Sequence, residues 1–334
     1  MTAPAPALLD QFQRHITYLR VSVTDRCDLR CVYCMPERME FLPKTDVLSF
    51  EELDRLCAVF VQAGVRKLRI TGGEPLVRRD IMAFLRRQAR HLDSGQLEEL
   101  TLTTNGTRLA AFAAELAAIG VKRVNVSLDT LDAETFQRIT RRDQLSAVLA
   151  GIEAARNVGL QVKLNVVALK NDNLADIPDI IQWAHERGMD VSLIETMPMG
   201  EVEGDRTDQF VSLAAVRAKL GSFWRLSDIP DSTGGPSRYA RIEETGGRLG
   251  FITPFSHNFC SDCNRVRLTC TGRLYLCLGQ DEHIDFREPL RSGASESDLL
   301  GLIGRGLSRK PRAHDFQLAP TAPPVRRHMS MTGG

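Results

Sequence analysis

Cys27, Cys31 and Cys34 fall within eight residues as C-x3-C-x2-C. Three thiolates on one short segment suit a cubane iron–sulfur cluster, because soft sulfur ligands select iron–sulfur and zinc. A closed [4Fe–4S] cluster takes four cysteines, so three leave one iron open to a substrate or cofactor. The alternative is a zinc knuckle with a distant fourth ligand. Zinc sites commonly add a second cysteine pair or His, and no His lies within this segment. A second group, Cys260, Cys263 and Cys277, forms C-x2-C-x13-C and again offers three ligands. Arg265 and Arg267 follow directly. Cys270 lies inside this group, so four thiolates could instead close around zinc or a sealed cluster. It falls in an expected hairpin, Arg265–Cys270 and Leu274–Leu278, around Thr271-Gly272-Arg273. A three-residue loop pairs Arg267 with Cys277 and aims Cys270 to the opposite face; a two-residue loop reverses this.

The elements that must position these groups alternate. Short strands are expected at Leu19–Val23, Lys67–Thr71, Leu100–Thr104, Val121–Leu128, Val162–Leu169 and Val191–Thr196, with amphipathic segments between them. The clearest helix follows Ser49, which forms a capping box with Glu52. Leu53, Leu56, Cys57 and Phe60 keep helical spacing, and Gly64 ends the run. Such alternation predicts parallel strands joined by right-handed crossovers. Six units fall short of the eight of a closed barrel. The expected fold is therefore α/β: a partial, open, six-unit βα barrel with a small C-terminal β-containing iron–sulfur region. A doubly wound open sheet is the alternative. The expected divisions are a flexible tail over 1–16, the barrel over 17–215, and a C-terminal region over 216–334.

Residues i and i+2 of a strand share a face. One face carries Arg20, Ser22, Lys67, Arg69, Thr71, Thr101, Thr103, Asn125, Ser127, Asp129, Lys163 and Asn165. The other carries Val21, Leu68, Ile70, Leu102, Val124, Val126, Leu164 and Val166. The apolar face can pack under helices. The polar face then lines a bore built for a large, partly anionic guest, where ordinary barrels hold branched aliphatics. The bland alternative is one solvated face of an open sheet, a rare arrangement for parallel strands. At the end of the second strand stands Thr71-Gly72-Gly73-Glu74-Pro75, where glycines let backbone approach a ligand closely.

The 334 residues carry a net charge of +1, with 43% hydrophobic and 25% charged residues. Bulk charge makes no case for nucleic acid or a membrane surface. No apolar run approaches the ~18 residues of a membrane span, and Met1–Leu9 lacks a signal-peptide pattern. A cytoplasmic chain is expected, in which eight cysteines are metal ligands rather than disulfides.

The cluster loop with Tyr33, and Gly72-Gly73-Glu74-Pro75, resemble the radical S-adenosylmethionine superfamily. The two triads, the paired arginines and the terminal Gly333-Gly334 narrow the resemblance to the GTP 3′,8-cyclases of molybdenum-cofactor biosynthesis, from about Tyr18 to the last residue. That resemblance implies two [4Fe–4S] clusters, held by Cys27, Cys31 and Cys34 and by Cys260, Cys263 and Cys277. It implies S-adenosylmethionine bound by Tyr33, Gly73, Ser127 and Met197, and GTP bound by Arg20, Arg69, Thr103, Lys163, Arg265 and Arg267. A deoxyadenosyl radical then takes the ribose 3′ hydrogen, and C3′ attacks C8 of guanine, which the second cluster's open iron holds. Gly333 and Gly334 are implied as a catalytic tail entering the site, with Arg326, Arg327 and His328 as anchors; a frayed end is the alternative. The resemblance also implies a homodimer, a flavodoxin-like electron donor, and pyranopterin monophosphate synthase as the next enzyme. Family members commonly carry Arg where Ser192 stands, so one phosphate contact is in question. A radical enzyme acting on a peptide, or a non-catalytic metal-stabilised module, are the rival readings.

Overall fold

The computed structural model describes residues 8–200, 202, 206–255, 259–316 and 325–333. The expected βα alternation is present. Its six strands are β1 (Tyr18–Ser22), β2 (Lys67–Thr71), β3 (Glu99–Thr104), β4 (Arg123–Ser127), β5 (Gln161–Ala168) and β6 (Asp190–Glu195), all parallel to their neighbours. The first crossover helix, α1 (Phe50–Gln62), begins with the Ser49–Glu52 capping box and ends before Gly64, whose φ of 107° belongs to glycine. Cys57 is fully buried on its inner stripe.

The apolar face lies under the helices as its periodicity predicts. Val21, Leu68, Ile70, Leu102, Val124, Val126, Leu164 and Val166 are all wholly buried. Register then locks the opposite face row by row. Arg20 stands beside Arg69, Thr103 beside Asn125, Asn125 beside Lys163, and Ser127 beside Asn165. The sheet curls around these polar side chains, because residues from β1, β2, β4, β5 and β6 line one shared cavity.

The C-terminal strands are not a separate layer. They are β7 (Leu226–Ile229), β8 (Arg238–Ile242), β9 (Arg248–Ile252), β10 (Arg265–Leu268), β11 (Arg273–Tyr275) and β12 (His283–Asp285). They extend the barrel sheet at both edges, giving the order β12-β11-β10-β1-β2-β3-β4-β5-β6-β9-β8-β7. β10 runs parallel to β1, and β9 parallel to β6. Eight parallel strands thus surround the bore, and antiparallel pairs finish each edge. Because β10 adjoins β1, Arg267 stands in the same row as Arg20.

The flexible tail expected over 1–16 is corrected for residues 8–16. Leu8, Asp10 and Ile16 are buried, and the backbone doubles back through a Leu9–His15 bridge. Arg14 donates to the carbonyls of Cys260, Pro311 and Arg312. This segment is therefore a brace for the second cysteine group.

Candidate functional site

The bore is divided into three stacked chambers. The upper one, about 150 Å³, lies at the C-terminal ends of the strands. Its lining includes Cys27, Cys31, Cys34, Tyr33, Gly73, Ser127 and Met197. The three cysteines implied for the first cluster and all four residues implied for the cofactor therefore meet in one space. Burial pushes the Cys27 and Cys31 thiols up, and the neighbouring thiols add to the shift. Such a crowded set becomes a set of thiolates when cationic iron offsets their repulsion, so the residues fit a cluster. Among the described residues no three His, Cys, Asp or Glu side chains are arranged around a single metal ion. A cubane spreads its thiolates over separate iron atoms.

The turn after β2 is fastened tightly to this loop. A Cβ on Gly73 would lie 2.4 Å from the Arg26 carbonyl oxygen, so only glycine permits the approach. Glu74 is wholly buried and holds the turn to the end of β3. It accepts hydrogen bonds from Leu76 N, Thr104 Oγ1 and Asn105 N at 2.6–2.9 Å. Burial raises its pKa to about 7 against these donors. Asp28 accepts from Asn105 and Thr107, each at 2.7 Å, tying the cysteine loop to the same strand end. Tyr33 donates to Asp129 at 2.7 Å.

The middle chamber, about 130 Å³, holds Arg20, Arg69, Lys163, Arg265 and Arg267, with Cys260, Cys263 and Cys277 in its wall. Among the described residues no Asp or Glu lines it. Burial lowers the Arg20 pKa to about 10, and Arg69 and Arg265 add to the effect. Arg267 is pulled down by burial and by Arg20 and Arg265. Tyr18 shares the space; although burial raises its phenol, Arg69, Arg20 and Lys67 bring it to about 8. Cations gathered in one chamber with no carboxylate among its described lining residues suit an anionic guest. Thr103, implied for the same ligand as these cations, lines the upper chamber instead. Its strand position is one row nearer the C-terminal end than Arg69, which stands beside Thr101, and in the row of Asn125 and Lys163.

The second cysteine group also fits a cluster. Lys310, 2% exposed, donates to Cys263 Sγ at 3.5 Å and to the carbonyls of Arg265 and Leu276. Burial raises the Cys263 thiol, but Lys310 and Arg265 outweigh it and the result is about 7. Cys270 stands apart. β10 and β11 pair Arg267 with Tyr275 and Leu268 with Leu274, leaving Cys270-Thr271-Gly272 as the loop. This keeps the face assignment of the three-residue alternative, with the pairing moved by two residues. The buried Cys270 thiol lies near Asp25 and Arg78, and the Cys270 carbonyl accepts from Leu48 N at 2.7 Å. The group is three cysteines rather than four.

The chain's end enters the bore. A short helix, Met329–Thr332, packs on β1, and Met329 lines both the upper and the middle chamber. Gly333 is buried with φ 78°; a Cβ there would lie 2.1 Å from the Thr71 side chain. Its carbonyl accepts from Arg267 at 2.8 Å. Gly334 lies outside the described residues. Arg327 anchors the tail, bonding to Asp281 and to the Leu278 carbonyl and covering the Tyr275 ring at 4.0 Å. His328 packs on Gly200, whereas Arg326 is exposed and anchors nothing in this way.

Lys310 and Tyr18 were not singled out by sequence spacing, because each acts through strands distant in the chain. Lys67 was legible from strand alternation. His314 also lines the middle chamber.

Residues 21–184 match the Radical SAM superfamily, and residues 189–316 match Molybdenum Cofactor Synthesis C. The chain is 61% identical to the GTP 3',8-cyclase of Brucella canis, covering 100% of this chain and 98% of that protein. It is 60% identical to the GTP 3',8-cyclase of Caulobacter vibrioides, covering 100% and 96%. Streptococcus suis SuiB bound to S-adenosylmethionine shares the fold, with a TM-score of 0.61 at 14% identity over 96% of this chain and 79% of that one. The chain belongs to the GTP 3',8-cyclase family, within the radical S-adenosylmethionine superfamily.

Two substitutions test the second triad. Cys270→Ser should leave iron content at about eight atoms per chain after anaerobic reconstitution; loss of about four would mean that Cys270 is a ligand. Lys310→Gln should lower the iron retained by the second site while the first cluster's signal persists in paramagnetic resonance. Full retention of both would remove Lys310 from the site.

Proposed function

We propose that this chain converts GTP to (8S)-3′,8-cyclo-7,8-dihydroguanosine 5′-triphosphate, the first step of molybdenum-cofactor biosynthesis. The observation that carries this reading is the middle chamber: five cations, three of them buried and two half-buried, no carboxylate among the described lining residues, and a cysteine triad in the same wall. A nucleoside triphosphate matches both features, since guanidinium and ammonium groups bind phosphate oxygens and an open iron binds a base.

Cys27, Cys31 and Cys34 would hold the first [4Fe–4S] cluster, and Tyr33, Gly73, Ser127 and Met197 would hold S-adenosylmethionine beside it. Together these groups supply a 5′-deoxyadenosyl radical able to take hydrogen from an unactivated C–H bond. Cys260, Cys263 and Cys277 would hold a second [4Fe–4S] cluster that orients guanine. Arg20, Arg69, Lys163, Arg265 and Arg267 fix the triphosphate. This orients the ribose toward the upper chamber, where Met197 and Met329 are common to both linings. Position is the main contribution of these groups, because a radical reacts with whichever C–H bond lies nearest. Thr103, at the upper level, is a contact for the nucleoside rather than its terminal phosphates. The tail, held by Arg267 and Arg327, would exclude water, and the reading assigns Gly333 and Gly334 a catalytic role at its end.

The reading includes an external one-electron donor of flavodoxin type, delivery of product to pyranopterin monophosphate synthase, a homodimer and a cytoplasmic setting. Among the described residues no helix is long and apolar enough to cross a membrane.

Anaerobic turnover with S-adenosylmethionine, a reductant and GTP deuterated at C3′ tests the reaction. Deuterium should appear in 5′-deoxyadenosine. Unlabelled 5′-deoxyadenosine, formed no faster with GTP than without it, would point to the peptide-modifying alternative. Cys31→Ala should abolish cofactor cleavage; retained cleavage would overturn the cluster assignment.

A further inference from the structure

The third chamber has no part in the mechanism above. It is an open cavity of about 900 Å³ at the opposite end of the bore, where β1 to β6 begin. Its lining carries eight Arg or Lys side chains against three carboxylates. Arg66 and Lys122 are exposed on its rim, Arg156 and Arg187 stand further round, and the buried Lys67 and Lys163 line its inner end, Lys163 being shared with the middle chamber. In a chain of net charge +1 this concentration of positive charge is local.

The wall between this cavity and the middle chamber is thin. Tyr18, Lys163 and Thr233 line both spaces. Thr233 belongs to Ser232-Thr-Gly-Gly-Pro236, which reaches across from the segment between β7 and β8. Its carbonyl accepts from Lys67 Nζ at 2.8 Å, and Lys67 is also 2.5 Å from Glu99. Thr233 Oγ1 lies 3.1 Å from the Tyr239 hydroxyl, which accepts from Lys163 Nζ at 2.5 Å. The wall is thus held by the two lysines that a polyphosphate would claim. Phosphate oxygens arriving at Lys67 and Lys163 compete for the donors that fasten Thr233 and Tyr239. The segment carries two adjacent glycines, and Gly234 has φ 67°, so its backbone can rearrange with few side-chain constraints. The cysteine loop and the inserted tail cover the other end of the bore, with Met329 and Gly333 seated between the upper strand ends.

We propose that the cavity at the N-terminal ends of the strands is a polyphosphate-binding vestibule, through which a nucleoside triphosphate reaches the middle chamber past the 232–236 segment. This rests on the GTP reading given above and adds the route and the first binding site. Arg66 and Lys122 capture the phosphates, Lys67 and Lys163 receive them, and release of Thr233 opens the wall.

The test uses anaerobic holoenzyme, radiolabelled GTP and rapid filtration at low and high ionic strength. The double variant Arg66→Glu/Lys122→Glu alters only the rim. Its association rate constant for GTP should fall about tenfold at low ionic strength, and the difference should shrink at high salt. S-adenosylmethionine affinity should be unchanged, which reports an intact fold and upper chamber. Inorganic tripolyphosphate should slow GTP association to the wild type and have much less effect on the variant. An unchanged association rate, with normal GTP uptake by the wild type, overturns the vestibule alone. A wild-type holoenzyme that takes up no GTP overturns the functional reading and the vestibule with it.

Discussion

Five cations gathered in one chamber, three buried and two half-buried, with no carboxylate among its described lining residues, form the constraint on which the rest of the structure depends. Like charges repel, and burial removes the water that would screen them. The fold tolerates this because the cations sit at alternate positions of adjacent parallel strands, whose register leaves no freedom to splay apart. Partial relief comes from neutral or acidic hydroxyls and from backbone. Tyr18 has a phenol pulled to about 8, Tyr239 accepts from Lys163, and the Gly333 carbonyl accepts from Arg267. None of these is a full counter-charge. The chamber therefore favours an anion over collapse, whereas a barrel filled with aliphatics would have no room for one.

The bore being polar, stability must come from elsewhere. It comes from the opposite strand face, wholly buried under the crossover helices, and from the two sheet extensions. The extensions also do chemical work. β10 sets Arg267 beside Arg20 and Arg265 beside Tyr18, and the turn before it carries Cys260 and Cys263. One C-terminal region thus supplies a sheet edge, two cations and a cysteine triad. Its neighbours from the far ends of the chain secure it, Arg14 from one side and Lys310 from the other. At the opposite end of the bore Glu74 performs the same service for the first cysteine loop, through hydrogen bonds rather than ligand contact.

Local order in the chain was readable where chemistry repeats at short range. A period of two separated Arg20 and Arg69 from Val21 and Ile70, and the capping box fixed the start of α1. The cysteine loop needed only its own spacing. Contacts between segments hundreds of residues apart left no comparable trace. The placement of β9 and β10 on opposite edges depends on which edge each finds free, and no short pattern encodes that. Residues 8–16 look like a tail by composition, yet Arg14 gives them a binding partner near residue 260. Cys270 shows how finely such outcomes are set, since a one-residue slip in the β10–β11 pairing would have turned it toward the other three thiols. Thr103 was grouped with the cations by motif. The cavity lining gives it to the upper chamber, one row beyond Arg69, although the register sets it in the row of Asn125 and Lys163.

Ser192 shows how one departure from the family pattern propagates. An arginine there would project a sixth cation into the bore from β6. Instead the Ser192 hydroxyl meets that of Ser237 at 2.9 Å, both wholly or nearly wholly buried. Gly250 completes the contact, since a Cβ there would lie 2.1 Å from Ser237 Oγ and 2.5 Å from Ser192 Oγ. Three small residues on three neighbouring segments therefore let the chain after β7 press against β6. That approach brings Thr233 within reach of Lys67, and Tyr239 within reach of Lys163. A long guanidinium at position 192 would occupy the space Ser237 now fills and push the segment outward. The missing cation and the wall across the lower bore are thus one structural choice: the chain gives up a phosphate contact in the chamber and gains a partition whose fastening lies in the hands of two lysines.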